Sequence, residues 1–71
     1  MATSIYCLFG NRVRELRRER GWSQVYLAEH TGLSKTFICN LETGQKEPCL
    51  GTIQVLADGF GISLGDLFRF L

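Results

Sequence analysis

The sequence lacks any apolar run long enough to span a bilayer, and it lacks repeats and low-complexity tracts. A membrane helix needs about 18 consecutive apolar residues, so we exclude a membrane protein. With 45% hydrophobic and 21% charged residues, the chain is also too apolar to be disordered. Its 71 residues are enough for one small domain, 1–71, and leave no room for a second.

Cysteine and histidine are scarce, and those present do not form a metal-binding pattern. Cys7, Cys39 and Cys49 are widely spaced without a CxxC pair, and His30 is the single histidine. We therefore expect neither a structural zinc site nor a cofactor. The number of cysteines is odd, and the N-terminus lacks the features of a signal peptide. Together these observations indicate free thiols in a reducing cytoplasm. For Cys39 we expect a buried, inert thiol, with a redox-sensing thiol as the alternative.

A large net charge is absent as well, because eight Lys+Arg and seven Asp+Glu leave only +1. This balance falls short of the basic composition expected of a nucleic-acid binder. The charge is segregated along the chain, however. The stretch between Asn11 and Gly21 holds five arginines and two glutamates and carries +3, so the rest of the chain carries −2. We therefore expect one basic segment on an otherwise slightly acidic chain.

The hydrophobic spacing predicts an all-α, compact domain of five helices. The first helix runs from Ile5 to Arg20, because its apolar residues recur at steps of three and four on one face. Serines that can cap helix N-termini and glycines that can end helices follow at regular intervals. They define helices over residues 24–31, 35–43 and 50–60 and a short fifth helix after Ser63.

Only Gly32-Leu33-Ser34 joins the second helix to the third, which predicts a helix-turn-helix over about residues 24–43. Counting from Gln24, the fifth residue, Ala28, must be small because the helices cross there. The ninth, Gly32, must tolerate a left-handed backbone. Apolar residues that fill the wedge between the helices occupy the fourth, fifteenth and eighteenth positions, Leu27, Ile38 and Leu41.

With these residues the sequence resembles the lambda-repressor-like, Cro/repressor-type helix-turn-helix family from about Phe9 to Phe68. The Arg-rich first helix and the wedge residues carry the resemblance. Further segments fall where that family has its own: Gly21-Trp22-Ser23-Gln24, Leu41-Glu42-Thr43-Gly44, Pro48, Leu56-Ala57 and Gly61-Ile62-Ser63. The resemblance implies a DNA-binding domain.

In this family the third helix lies in the DNA major groove. The resemblance implies that Lys35, Thr36 and, one turn on, Asn40 read the bases. Their chemistry fits this role, because Lys35 can donate to guanine, Thr36 can contact a phosphate or a thymine, and Asn40 can bond adenine bidentately. Outside this context all three would be ordinary surface residues.

The resemblance also implies phosphate contacts around the turn. Gln24 matches the family's glutamine at the start of the second helix, where it holds a backbone phosphate. The other candidates are Ser23, Ser34, Gln45 and Lys46. Helix capping explains the two serines without DNA, and a lone lysine is usually solvated.

Arg17 and Glu42 match a family pair that forms a partly buried ion pair between the first helix and the end of the third. The alternative is an exposed charge at each position, which contributes little. In a buried pair, removing one partner costs about 3–5 kcal/mol. We expect Arg12, Arg14 and Arg18 to be solvated or at most to face phosphate.

The sequence thus predicts a sequence-specific, double-stranded-DNA-binding transcriptional regulator that acts as a homodimer on a palindromic or pseudo-palindromic operator. Restriction-modification controllers and phage-type repressors are stand-alone chains of this kind. The candidate dimer interface consists of Leu64, Phe68, Phe70 and Leu71, with core packing or fraying of this tail as the alternative.

Two other functions compete with DNA reading. A protein-interaction module, or an antitoxin-like regulator that binds a partner protein, can have the same fold, and the near-neutral charge favours it. An enzyme is not expected, because no phosphate loop, paired carboxylates or Cys–His arrangement is present. We also expect no small-molecule ligand.

Overall fold

The structure, a computed structural model, describes residues 4–71, and every regular element in that range is an α-helix. The helices are α1 (Ile5–Glu19), α2 (Gln24–Thr31), α3 (Lys35–Glu42), α4 (Leu50–Phe60) and α5 (Leu64–Leu67). The predicted five-helix, all-α architecture is confirmed. α1 and α3 each end one residue earlier than predicted, because Arg20 and Thr43 are their C-caps.

Serine hydroxyls begin four of these helices. Each Oγ accepts a hydrogen bond of 3.0–3.1 Å from a backbone N–H two or three residues ahead. The four caps are Ser4, Ser23, Ser34 and Ser63. The bond satisfies one of the backbone donors that a helix N-terminus leaves without an intrahelical partner. Local sequence is therefore enough to set where these helices start.

The core takes apolar residues from all five helices. Phe9, Val13 and Leu16 recur at steps of four and three, so they share the buried face of α1. The side chains that are entirely buried include Val13, Leu27, Ile38, Leu41, Leu56 and Leu67. All the wedge positions predicted for the helix-turn-helix are buried.

Two glycines determine how α3 is placed. Gly32 ends α2 with a φ of +76°, a left-handed conformation that residues with a side chain rarely adopt, and α3 begins three residues later. Gly10 of α1 faces the end of α3, where a Cβ atom would overlap the carbonyl oxygens of Leu41 and Glu42. The first glycine permits the sharp turn, and the second permits the close approach of α1 to α3.

Arg12 of α1 and Arg20, the C-cap of α1, bind the C-terminal ends of other helices. Arg12 donates from Nε to the Leu67 carbonyl at 3.3 Å and from Nη2 to the Asp66 carbonyl at 2.7 Å. Arg20 donates to the Phe60 carbonyl at 3.0 Å. The expectation that Arg12 is solvated is therefore wrong, since its side chain is only 15% exposed. The reason is that carbonyl groups at a helix C-terminus lack intrahelical partners and attract a cation.

Within residues 4–71, no helix has the length and apolar character needed to cross a membrane. The same residues contain no cluster of three His, Cys, Asp or Glu side chains placed to bind a metal ion. All three cysteines are free thiols.

Candidate nucleic-acid interface

The N-terminal part of α3 carries the residues predicted to read bases. Lys35 and Thr36 are exposed, and Asn40, one turn on, is half-buried. The other side of the helix carries Ile38 and Leu41, both fully buried. α3 is thus fixed to the core along one face and presents polar groups to solvent along another, as a helix that enters a major groove must.

Cys39 belongs to the exposed side of α3, so the expectation of a buried thiol is wrong. Residues three and four apart are neighbours on a helix surface, which places Cys39 beside Thr36 and Lys35. Its neighbour along the chain, Ile38, is turned by about 100° and faces the core. Cys39 therefore shares the surface of the predicted base-reading residues.

At the C-terminal end of α3, the carboxylate of Glu42 is buried and shared by three side chains. Arg17 of α1 donates from Nε to Oε2 at 2.7 Å and from Nη2 to Oε1 at 3.0 Å. Gln24 of α2 donates from Nε2 to Oε1 at 3.1 Å. The Nε of Arg14 lies 3.5 Å from the same oxygen. The structure brings Arg17 and Glu42 together as a bidentate pair and adds two further partners.

The Glu42 carboxylate is ionised at neutral pH although its side chain has no exposed surface. Burial alone raises the pKa of a carboxyl group, because the charged form loses its hydration. Hydrogen bonds from Arg17 and Gln24 and the charges of Arg17 and Arg14 outweigh that penalty and hold the pKa of Glu42 below its usual value. The hydrogen bond to Glu42 likewise raises the pKa of Arg17. Charge-assisted hydrogen bonds thus link α1, α2 and α3.

The predicted phosphate-binding residues of the turn all make contacts within the chain. The amide of Gln24, the first residue of α2, binds Glu42. Ser23 and Ser34 accept hydrogen bonds from the backbone N–H groups of Tyr26 and Phe37. The two serines therefore cap helices, which explains their presence without DNA. Phosphate binding by Gln24, Ser23 and Ser34 stays a prediction.

Gln45 and Lys46 follow α3 and are exposed. The backbone N–H of Gln45 donates to the Asn40 carbonyl at 2.9 Å, so this loop begins by folding back onto the end of α3. Lys46 Nζ lies 5.8 Å from the centroid of the Phe37 ring, within cation–π range. This contact holds the ammonium group beside the predicted recognition helix.

The four residues of the predicted dimer interface divide into two pairs. Phe68 and Phe70 are half-buried and lie against Phe9, with ring centroids 5.4 and 6.4 Å from its own. Leu64 and Leu71 are exposed, by 39% and 77%. The two phenylalanines therefore pack against the core, which was the alternative to a dimer interface for this tail. The two leucines remain accessible to a second chain.

The sequence analysis did not predict an aromatic cluster that Trp22 forms with two residues of α2. The ring centroids of Trp22, Tyr26 and His30 are 5.0–5.6 Å apart. Trp22 also stacks on Phe60 of α4 at 5.8 Å, and His30 Nε2 lies 3.0 Å from the Gly59 carbonyl oxygen. The four-residue spacing of the three rings was the available signal. The cluster fixes α2 against α4 and so steadies the helix-turn-helix.

The sequence of this chain is similar to those of known proteins. The sequence profile of a helix-turn-helix family matches residues 13–67. The chain is 34% identical over 55 residues to the immunity repressor protein of Bacillus phage phi105. The aligned residues make up 78% of this chain and 38% of that protein. It is 41% identical over 58 residues to the HTH-type transcriptional regulator DdrOP3 of Deinococcus deserti. These aligned residues make up 82% of this chain and 45% of that protein.

A solved structure agrees with these sequence matches. The restriction-modification controller protein C.AhdI from Aeromonas hydrophila is similar with a TM-score of 0.85 and 38% identity, over 89% of this chain and 96% of that chain. This chain belongs to the helix-turn-helix family, which confirms the resemblance inferred from its sequence. It spans less than half the length of the two curated relatives.

Proposed function

We propose that this chain is a sequence-specific, double-stranded-DNA-binding transcriptional regulator with α3 as its recognition helix. The placement of α3 carries the proposal. Its Ile38 and Leu41 side is buried, while Lys35, Thr36 and part of Asn40 face solvent. Side chains at those positions reach base edges when such a helix enters the major groove. Similarity to a phage repressor, to a transcriptional regulator and to a controller protein supports the same function.

The residues divide the work between bases and backbone. Lys35 donates to guanine, Thr36 contacts a thymine or a phosphate, and Asn40 bonds adenine through its amide. The residues that set the register through phosphate contacts are Gln24, Ser23, Ser34, Gln45 and Lys46. The function is binding alone, without a catalytic step or a cofactor.

The proposal includes a homodimer on a two-fold symmetric operator in the cytoplasm. Two copies related by a two-fold axis read half-sites about one helical turn, roughly 34 Å, apart. Leu64 and Leu71 supply the exposed apolar surface for the interface, beside the half-buried rings of Phe68 and Phe70. Control of restriction-modification genes is the specific role favoured by the match over nearly the whole of a controller chain.

Selection of bound sequences from a random duplex pool tests the proposal. We expect an enriched palindrome with one fixed half-site spacing, and an affinity that falls steeply as salt rises. Lys35→Ala and Asn40→Ala should each relax the preference at one base position and cost about 1–3 kcal/mol of binding free energy. Lys46→Ala is the matched control, because losing a phosphate contact weakens binding to all sequences alike.

Two results would contradict parts of this proposal. No enriched sequence together with a salt-independent affinity would exclude DNA reading and favour a protein-interaction module. An unchanged base preference in both α3 variants, with wild-type thermal stability, would instead show that α3 is not the recognition helix.

A further inference from the structure

We propose that Arg14 contacts the DNA phosphate that Gln24 holds, so that the two side chains form one phosphate clamp. The inference rests on the proposed function, because it adds a residue to the same DNA-binding surface. Oε1 of Glu42 lies 3.1 Å from Gln24 Nε2 and 3.5 Å from Arg14 Nε. Because both nitrogen atoms approach one oxygen atom, a phosphate group that reaches the Gln24 amide also lies within reach of the Arg14 guanidinium group.

The charges around Glu42 do not balance. One carboxylate faces the guanidinium groups of Arg14 and Arg17, which leaves one positive charge in excess. Arg17 does not offer this charge to a ligand, because its Nε and Nη2 bind Glu42, its Nη1 donates to the Trp22 carbonyl at 2.8 Å, and its side chain is 11% exposed. The excess charge is therefore presented to solvent by Arg14.

Arg14 differs from Arg12, Arg17 and Arg20 in how its donors are used. Arg12 and Arg20 give theirs to backbone carbonyls at helix ends. The Arg14 side chain is 35% exposed, and within residues 4–71 its one ion pair is the 3.5 Å approach to Glu42. That approach orients the guanidinium group beside Gln24 and leaves its outer N–H groups for a ligand.

The chemistry of the cluster selects a phosphate. A guanidinium group presents a rigid fork of N–H donors that matches two phosphate oxygens, and charge-assisted hydrogen bonds of this kind are stronger than neutral ones. The amide of Gln24 adds a neutral donor at the same point. Of the two expectations stated for Arg14, a solvated charge or a group that faces phosphate, this assignment adopts the second.

The salt dependence of DNA affinity tests the clamp. Arg14→Gln is compared with Arg18→Gln, which removes the same charge from an exposed position one turn further along α1. The probe is one duplex of mixed sequence, titrated between about 50 and 200 mM salt. For Arg14→Gln we expect the slope of log affinity against log salt to become shallower by about 0.9, with a roughly eightfold loss of affinity near 0.1 M salt. Arg18→Gln should keep the wild-type slope.

A conservative variant and a stability measurement separate binding from folding. Arg14→Lys keeps a point charge that binds phosphate, so its slope should equal that of the wild type. The thermal midpoint of Arg14→Gln should stay near the wild-type value, because the residue is partly exposed and Arg17 still holds Glu42.

Several results would overturn the clamp. Equal salt slopes for Arg14→Gln and Arg18→Gln would do so. Unfolding of Arg14→Gln would also do so, because Arg14 would then be a structural partner of Glu42 alone. If the wild type shows no salt-dependent affinity for DNA, the proposed function fails and the clamp fails with it. If the wild type binds and Arg14→Gln binds equally well, only the clamp fails.

Discussion

The carboxylate of Glu42 joins α1, α2 and α3 by contacts with Arg17, Gln24 and Arg14. A buried ion pair adds little net stability, because desolvation of two charges offsets their attraction. Removing one partner is nonetheless costly, since the remaining charge stays buried without compensation. The network also fixes the positions of the Gln24 amide and of the partly exposed guanidinium group of Arg14.

Acid should destabilise the fold through Glu42. The pKa of this carboxyl is lower in the folded chain than in the unfolded chain, so its contribution to the free energy of unfolding is fully present above the unfolded pKa. The contribution is lost as the pH falls from that value through the lower, folded pKa. Urea unfolding of the wild type at a series of pH values below about 5 should therefore give a falling free energy of unfolding.

Glu42→Gln isolates this contribution. The variant should be less stable than the wild type at neutral pH, because Arg17 loses its charged partner, and its stability should depend less on pH in the acid range. Glu29→Gln, at an exposed carboxylate of α2, is the matched control and should keep the wild-type pH dependence. Parallel pH profiles for Glu42→Gln and wild type would show that Glu42 does not govern acid stability.

The arginines of α1 show the limit of sequence reasoning at this scale. The pairing of Arg17 with Glu42 was expected from the family pattern, but Arg12 was expected to be solvated. Helix periodicity says which face of α1 a residue occupies, yet it does not say which groups face it from elsewhere. The carbonyl partners of Arg12 lie 54 and 55 residues away along the chain.

At the scale of elements, α3 depends on α1 as much as on its own turn. The starts of α2 and α3 follow from Ser23 and Ser34, and their crossing follows from Ala28 and Gly32. All of this is local and was predicted. The family resemblance implied that Arg17 of α1 contacts Glu42 at the end of α3. The close approach of the two helices at Gly10 was not predicted, because it depends on the missing side chain of Gly10 rather than on a recognisable turn.

Two alanine substitutions at helical glycines should therefore have opposite effects. Gly51 is an exposed residue of α4, and a Cβ atom there meets nothing within 4 Å. Gly51→Ala should raise the free energy of unfolding by about 0.5–1 kcal/mol, because it removes backbone freedom from the unfolded chain. Gly10→Ala should lower it by about 1–3 kcal/mol, since α1 and α3 must move apart. Urea unfolding measures both, and a Gly10→Ala variant at least as stable as the wild type would contradict the close approach at Gly10.

In the molecule as a whole, the chain is small and only some of its C-terminal side chains pack against the core. A domain of this size buries a modest fraction of its surface, so additional contacts with a second copy would stabilise it. Arg12 binds the carbonyls at the end of α5, and the rings of Phe68 and Phe70 lie on Phe9. The tail is thereby held in one place while Leu64 and Leu71 stay exposed.

Replacing the exposed leucines should separate the proposed dimer without unfolding the monomer. In Leu64→Ser/Leu71→Ser, sedimentation should show a shift toward monomer, and affinity for a two-site operator should fall because the two half-sites are no longer bound together. The thermal midpoint at low protein concentration should change little, since neither side chain belongs to the core. Leu50→Ser, at a leucine of α4 that is 78% exposed, is the control and should leave the dimer intact. A double variant that remains dimeric would place the interface elsewhere.

Local sequence patterns predicted the five helices, the wedge of the helix-turn-helix and the polar residues at the start of α3. These features depend on caps and on spacings of three and four residues, which act within one or two turns of the chain. The contacts of Arg12 and Arg20 and the exposure of Cys39 follow instead from tertiary packing. The groups that Arg12, Arg17 and Arg20 contact on other helices lie 25 to 55 residues away, and a long side chain can reach any of several groups from one helix position. Tertiary contacts alone choose among those groups, and here they leave Arg14 as the arginine oriented by Glu42 and partly open to solvent.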